Sequence, residues 1–360
     1  MLGGKILEVI SLELEFETRR DDDSIVRFKL RDSIINYKTI RENVSESFCA
    51  ESIEKIKKES GKKIAVLLGN CNMQVMQTLL LRNTQFRREY ILIKFPADYE
   101  YDTQTFDLIF KGTGQIFSVC DLLLIQRCNF RNAKRVFISN ENIAKKFKEK
   151  NSNLDIVWIP RTVFYGYFPQ YFWNNPRNRK PDLFEHGDKY IFDIMETAPM
   201  NPDIETILDL LCAENFLTQE EISCNFAESI DQLYFQERNC DVKFAEYIEV
   251  NCKDQQIYYS PGHPHQLIML EFTKRVLRYI GIRSDNFLRM SNFLTEPNQE
   301  ISVVGRDVPI YPCVLKFFDF QEHLETYWAN RNKWDFHANF RDFQREYILK
   351  CWAEKFTNQS

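Results

Sequence analysis

The chain has 360 residues, of which 44% are hydrophobic and 28% are charged, and its formal net charge is −5. This composition is ordinary for a globular protein, and 11 Gly and 12 Pro are too few for a fibrous or largely disordered one. No basic block has the size of a nucleic-acid footprint, and no apolar run approaches the ~20 residues of a bilayer span. We therefore expect neither a nucleic-acid partner nor a transmembrane segment.

The first residues and the cysteines indicate the cellular compartment. The stretch from Met1 to Lys5 has neither the apolar core nor the cleavage site of a signal peptide. The ten cysteines are scattered and form no CxxC pair, which is typical of reduced thiols and not of a zinc site. The five histidines show no metal-binding spacing either. We expect a cytoplasmic protein without a bound metal.

The N-terminal residues have the pattern of β-strands. Lys5–Glu17 and Ser24–Leu30 each alternate apolar and polar side chains, and a charged turn separates them. A charged helix is predicted near Ala50–Glu59, and Gly61 ends it. We expect residues 1–60 to form a small β-rich extension with a linking helix.

From Lys62 onward the pattern predicts an α/β fold. Ile64–Leu68 is a continuous apolar run, as found in parallel strands that are buried on both faces. Similar short runs follow at Tyr90–Phe95, Cys120–Ile125, Arg135–Ser139 and Asp155–Ile159. Their alternation with segments of helical spacing predicts a parallel sheet flanked by helices.

The second half of the chain is predominantly helical in its spacing. A strong helix is predicted from about Gln266 to Ile280, and the tail combines a strand with a terminal helix near Phe340–Phe356. We expect residues 61–360 to form one α/β domain with helical insertions, in which the candidate catalytic residues lie.

Cys71 is the first candidate for chemistry. Gly69, Asn70 and Cys71 follow the apolar run at once, and the apolar residues after them repeat at helical spacing. Backbone N–H groups and the dipole at a helix start favour negative charge, so we expect a lowered thiol pKa and a nucleophilic thiolate. Gly69 allows the sharp turn, and Asn70 can donate to an oxyanion. The alternative is a capped turn with a buried structural thiol.

A loop containing two of the five histidines is the second candidate. His263 and His265 lie in a Pro- and Gly-rich segment that precedes a helix. Imidazole can act as a general base near neutral pH, and with Cys71 upstream it forms a candidate Cys/His combination for nucleophilic catalysis. The alternative is a histidine that only caps the helix or lies at the surface.

Three further features have two interpretations each. Gln126 follows an apolar run and is either an oxyanion donor or a loop amide. Glu237 and Arg238 precede Asp241 on a helical stretch, which is typical of a salt-bridged surface, and the alternative is a functional role for Arg238. The aromatic cluster Phe164–Trp173 either packs in the core, which we favour, or lines a sugar or adenine site.

Several of these segments resemble the WcbI-type family of polysaccharide biosynthesis enzymes. The resemblance extends from about Lys62 to Val314. It is based on the strand and Gly-Asn-Cys turn of Ile64–Asn72, on Asp121–Gln126, on the Glu237-Arg238 helix, on Tyr258–Pro264 and on Val308–Pro312. Family members typically have Gln after the cysteine, whereas this chain has Asn72.

The resemblance implies an enzyme of capsular or exopolysaccharide assembly that transfers an acetyl group from acetyl-CoA to a sugar hydroxyl. The layout is also similar to that of SGNH hydrolases. By that similarity Cys71 takes the nucleophile position and His263 the base position, while Ser260 stands where an acidic residue is expected. Arg238 and His265 are candidate substrate residues, and Arg127, Arg131 and Lys134 are candidates for the coenzyme A phosphates. The alternatives are a cysteine-dependent esterase or deacetylase and a non-catalytic carbohydrate-binding protein.

Overall fold

The protein is described here by a computed structural model. The structure describes residues 14–19, 25–30, 34–36, 46–94, 118–127, 140–171, 188–197, 203–288, 309–320, 327–328, 336–337 and 340–357. The chain divides into two compact units. The first comprises Met1–Arg161, Asn239–Lys243 and Met269–Glu296, and the second comprises Thr162–Arg238, Phe244–Ile268 and Pro297–Ser360.

A five-stranded parallel sheet forms the centre of the first unit. The strands are β3 (Ile34–Asn36), β4 (Lys63–Leu68), β5 (Tyr90–Lys94), β6 (Leu122–Gln126) and β7 (Asp155–Ile159). Their order in the sheet is β3-β5-β4-β6-β7, and each neighbouring pair is parallel. The helices are α1 (Glu46–Ser60), α2 (Cys71–Arg82), α3 (Thr84–Glu89) and α4 (Asn140–Lys150).

The burial of β4 explains why its sequence is continuously apolar. Successive strand residues point to opposite faces, so a strand between two helical layers needs apolar residues at every position. Ile64, Val66 and Leu68 belong to one core cluster with Ile53 of α1 and Phe147 of α4. The α/β fold with a parallel sheet flanked by helices is therefore confirmed.

The N-terminal residues form an antiparallel β-hairpin and also contribute a strand to the main sheet. Strands β1 (Leu14–Arg19) and β2 (Ile25–Leu30) pair in antiparallel register. Strand β3 pairs in parallel with β5 at the sheet edge. The predicted domain boundary after residue 60 stays a prediction, and the predicted run Arg135–Ser139 lies outside the described residues.

The second unit is largely helical where it is described. Its helices are α5 (Lys189–Thr197), α6 (Ile204–Cys212), α7 (Gln219–Glu237), α8 (Ala245–Asn251), the start of α9 (Gln266–Tyr279), α10 (Pro312–Phe317) and α11 (Phe340–Thr357). Two small antiparallel ribbons accompany them, formed by β8 (Tyr258–Ser260) with β9 (His263–Pro264), and by β10 (Tyr327–Trp328) with β11 (Phe336–His337).

The described part of the aromatic cluster lies in the core of this unit. Phe164, Tyr167 and Phe168 are fully buried, and the rings of Phe164 and Tyr167 meet edge to face at 4.9 Å. The Tyr167 hydroxyl donates to the Cys252 carbonyl at 2.6 Å. These contacts agree with the interpretation that the cluster packs in the core. Phe172 and Trp173 lie outside the described residues.

A buried carboxyl group starts α5. Asp188 Oδ1 accepts the N–H groups of Tyr190 and Ile191, and Oδ2 accepts the hydroxyl of Tyr311 at 2.8 Å. Burial raises the pKa of Asp188 to about 6, although these hydrogen bonds act in the opposite direction. The folded state therefore holds this proton more tightly than the unfolded state does.

The pKa of Asp188 predicts a pH-dependent stability. Because the folded pKa is raised, its contribution is fully present below pH 3.8 and is lost as the pH rises through about 6. The free energy of unfolding should fall by about 1–3 kcal/mol across this window. Asp188→Asn keeps the Oδ1 acceptor but has no titrating group. It should therefore remove the part of the pH dependence of the unfolding free energy that Asp188 contributes. Urea unfolding at pH 4.5 and 7.5 measures it, and an unchanged pH dependence in the variant would contradict the assignment.

Candidate functional site

The turn that carries Cys71 connects the buried strand β4 to helix α2. Asn70 is the residue before the helix, with φ −78° and ψ −169°, and its Oδ1 accepts the Asn72 N–H at 3.1 Å. The Asn70 carbonyl accepts the Met73 N–H at 2.9 Å. Short polar residues are favoured at this position because they satisfy N–H groups that the helix leaves unpaired. Cys71 is thus the first residue of the helix, as the sequence predicted.

Gly69 is required because two side chains approach its backbone closely. A Cβ atom at this position would lie 2.5 Å from Met73 Cγ and 2.7 Å from Gln126 Cβ, and the Gly69 φ is +158°. Any larger residue would force the Met73 side chain to move and would press on strand β6 at Gln126 Cβ. The glycine therefore lets the end of β4 pass directly beside Gln126.

Gln126 ends strand β6 and is 1% exposed. Its Oε1 accepts the Asn70 N–H at 3.0 Å, and its Nε2 is 3.5 Å from the Pro160 carbonyl. The main-chain carbonyl of Gln126 accepts Asn140 Nδ2 at the start of α4. The structure thus brings Gly69, Asn70, Cys71 and Gln126 together, while an oxyanion role for Gln126 stays a prediction.

Cys71 differs in its surroundings from Cys120, Cys224 and Cys252. It is a partly exposed thiol at a helix start, whereas Cys120 and Cys252 are buried. Burial raises the pKa of Cys120, and it raises the pKa of Cys252 to about 12. Cys224 is exposed, but the neighbouring Glu228 raises its thiol pKa. A raised pKa lowers the thiolate fraction at neutral pH, so these three cysteines are poor nucleophiles.

The two histidines of the Pro- and Gly-rich loop have different environments. His263 is 3% exposed, and its Nδ1 lies 2.6 Å from Ser260 Oγ across the ribbon of β8 and β9. The Pro261 carbonyl in the turn accepts the Phe164 N–H at 2.8 Å. His265 contacts the Tyr259 ring at 4.9 Å, and burial lowers its pKa.

The Ser260 hydroxyl is a contact that the sequence reasoning missed. No carboxylate stands three residues before His263, but the Ser260 hydroxyl occupies that position and orients the His263 ring. A serine can donate to Nδ1 or accept from it, so the contact is compatible with either neutral tautomer and with the protonated ring. The contact could have been predicted from the sequence. Ser260 and His263 flank a two-residue turn, and residues in these positions face each other in a hairpin.

The Glu237-Arg238 segment satisfies backbone groups and stacks on a ring. The buried Glu237 Oε2 accepts the N–H groups of Phe244 and Ala245 at the start of α8, at 2.6 and 2.8 Å. The Arg238 guanidinium lies 5.3 Å from the Phe235 ring. Asp241 Oδ2 accepts the Trp158 N–H at 2.6 Å. A substrate role for Arg238 stays a prediction.

Arg127 is the described member of the candidate coenzyme A phosphate residues. It donates to the Asn239 carbonyl at 2.7 Å, forms an ion pair with Glu141, and lies over the Trp158 ring at 5.5 Å. Arg131 and Lys134 lie outside the described residues. The role of all three residues toward coenzyme A stays a prediction.

Within the described residues, no group of His, Cys, Asp and Glu has the arrangement of a metal site. Over the same residues, no helix is long and apolar enough to cross a bilayer.

Comparisons with known proteins agree with the sequence resemblance. Residues 64–285, more than half of the chain, match the family model for polysaccharide biosynthesis enzyme WcbI. No curated protein matches the chain. A solved structure of WcbI, described as a novel polysaccharide biosynthesis enzyme in a native form without a disulfide bond between coenzyme A and a cysteine, is similar to this protein. Its TM-score is 0.61 at 16% identity, over 82% of this chain and 90% of that chain. At this identity the likeness shows a shared fold.

Proposed function

The chain belongs to the WcbI family of polysaccharide biosynthesis enzymes, and on that premise we propose that it transfers an acetyl group from acetyl-CoA to a sugar hydroxyl. The observation that carries the proposal is the partly exposed Cys71 thiol at the start of α2, directly after a buried parallel strand. The solved WcbI structure is described as a native form without a disulfide bond between coenzyme A and a cysteine, and this mention of coenzyme A supports it as the co-substrate.

In the covalent route, Cys71 accepts the acetyl group first. Its thiolate attacks the thioester carbonyl of acetyl-CoA, the bond from that carbon to the coenzyme A sulfur breaks, and coenzyme A leaves as a thiolate that takes up a proton. The new thioester on Cys71 has nearly the same energy as the old one. A sugar hydroxyl then loses its proton to His263 and attacks this thioester, which yields the acetyl ester and restores the Cys71 thiolate.

In the direct route, His263 removes the proton of the sugar hydroxyl, which attacks acetyl-CoA without an acyl-enzyme. In both routes negative charge develops on the carbonyl oxygen. Asn70 Nδ2 and backbone N–H groups at the start of α2 are the proposed donors to it, since the cap uses the Oδ1 end of the Asn70 carboxamide. Steady-state kinetics distinguish the routes, because parallel double-reciprocal lines indicate the covalent route and intersecting lines exclude it.

Thermal unfolding with acetyl-CoA and with coenzyme A tests the co-substrate. A ligand that binds only the folded state, at about 100 times its dissociation constant, stabilises it by ~2.7 kcal/mol, which raises the Tm by several degrees. A shift with both ligands supports the proposal. Absence of a shift with either would contradict it, and acetate release without any sugar would identify a hydrolase instead.

His263 is the proposed base, and the prediction is that His263→Gln lowers kcat by about 10²–10⁴-fold. Ser260 orients the His263 ring, whereas burial lowers the pKa of His265 and its ring packs on Tyr259. The loss in His265→Gln should therefore be smaller. Both variants should keep the thermal shift with coenzyme A, and a larger loss of kcat in the His265 variant would reverse the assignment.

A further inference from the structure

Gln126 contacts the turn that carries Cys71 through both its hydrogen-bonding and its packing atoms. Its Oε1 accepts the Asn70 N–H at 3.0 Å. Its Cβ and Oε1 would lie 2.7 and 2.9 Å from a Cβ on Gly69, so they occupy the space that a side chain there would need. We propose that Gln126 is a positioning residue that holds this turn in shape and acts on the reaction through Cys71.

The position of Cys71 depends on Asn70, because the two residues share a peptide bond. Three polar groups of Asn70 are held by hydrogen bonds. Its N–H donates to Gln126, its Oδ1 accepts from Asn72, and its carbonyl accepts from Met73. Asn70 is 5% exposed, so water has little access to replace a lost partner. Removing the Gln126 acceptor would leave a buried N–H unpaired and let the turn rotate.

Gln126 is itself held firmly enough to act as this support. Its strand β6 pairs with β4 on one side and with β7 on the other. Its main-chain carbonyl accepts Asn140 Nδ2, and the following N–H, that of Arg127, donates to the Ile159 carbonyl at 2.7 Å. Gln126 is the last residue of β6 and pairs with Ile159 of β7, so the backbone that carries its side chain is fixed by hydrogen bonds. The hydrogen bond between the Asn70 N–H and the Gln126 carboxamide therefore fixes the turn to the sheet.

This inference deepens the proposed function and rests on it for the role of Cys71. It differs from the oxyanion role that the sequence suggested for Gln126. An oxyanion donor would affect acetyl transfer and leave the chemical reactivity of the Cys71 thiol unchanged. A positioning residue affects both, because the turn that it holds sets where the Cys71 side chain lies at the helix start.

The test is alkylation of Cys71 by iodoacetamide in Gln126→Met, which has a similar volume and lacks the oxygen acceptor. Peptide mass spectrometry reports the rate at Cys71, with the exposed Cys224 as an internal reference. We expect the Cys71 rate to fall about three- to tenfold, as for the loss of one buried hydrogen bond. The Cys224 rate should be unchanged, and kcat should fall by a similar or larger factor.

Two further variants keep the test decisive. Gln126→Asn retains the amide but is too short to reach Asn70, so its alkylation rate should also fall. Ile125→Val trims the neighbouring buried residue without touching the turn, and it should alkylate at the wild-type rate. A wild-type alkylation rate in Gln126→Met or Gln126→Asn overturns the inference, whatever happens to kcat. Slow alkylation in a protein that transfers no acetyl group would instead contradict the proposed function alone.

Discussion

Replacing Cys71 by alanine is expected to lower kcat for acetyl transfer by about a thousandfold or more. The covalent route loses its nucleophile, and the raised pKa values of Cys120, Cys224 and Cys252 make these thiols poor substitutes for it. The fold should survive, since Asn70 caps α2 through its own side chain and backbone. Binding of coenzyme A should survive as well, because the thiol is not needed to hold the nucleotide.

The measurement combines initial rates with thermal unfolding in the presence of coenzyme A. Cys224→Ala is the matched control, because it removes an exposed thiol from α7 and should retain wild-type kcat. Retention of the thermal shift in Cys71→Ala separates loss of chemistry from loss of binding. Near-normal transfer by this variant would contradict the covalent route and leave the direct route as the mechanism.

Replacing Gly69 by alanine is expected to lower the free energy of unfolding by about 2–4 kcal/mol. The added methyl group would lie 2.5 Å from Met73 Cγ and 2.7 Å from Gln126 Cβ. Both neighbours are buried, so Met73 could yield only by a change of rotamer within the core, and Gln126 Cβ could yield only if strand β6 moved. The variant should therefore unfold several degrees lower, and what remains folded should carry Cys71 in a displaced turn.

Thermal and urea unfolding measure the stability, and alkylation of Cys71 reports the displacement. Gly262→Ala is the matched control for stability, since a Cβ at that position would meet nothing within 4 Å. It should unfold within about 1 kcal/mol of the wild type. If Gly69→Ala were as stable as Gly262→Ala, the close approach of β4 to Gln126 would be wrong.

Strands of the first unit could be predicted from the sequence, because a strand that is buried on both faces needs apolar residues throughout. Ile64–Leu68 showed this pattern, and the helical spacing after Cys71 placed the turn between strand and helix. Ile34–Asn36 was not recognised as a strand of the main sheet. Three residues at a sheet edge have no periodicity to detect, and their pairing with β5 depends on residues more than 50 positions away.

The candidate site residues come from local sequence, whereas their contacts do not. Cys71 and His263 became candidates because a helix start and a Pro- and Gly-rich loop are local features, and their roles as nucleophile and base stay predictions. The hydrogen bond from the Asn70 N–H to Gln126 joins residues 56 positions apart. Glu237 was assigned to a charged surface, whereas the buried carboxylate caps the start of the next helix.

The sequence by itself determined the α/β class, the strand–turn–helix around Cys71 and the resemblance to the WcbI family, because each depends on residues that are adjacent or follow one periodicity. Only the tertiary structure decided that Gln126 supports the Cys71 turn, that Ser260 orients His263, and that Asp188 is buried with a raised pKa. The physical reason is that hydrogen bonding and desolvation depend on which groups fold against each other. Residues distant in the chain acquire these partners only when the sheet and the hairpin have formed.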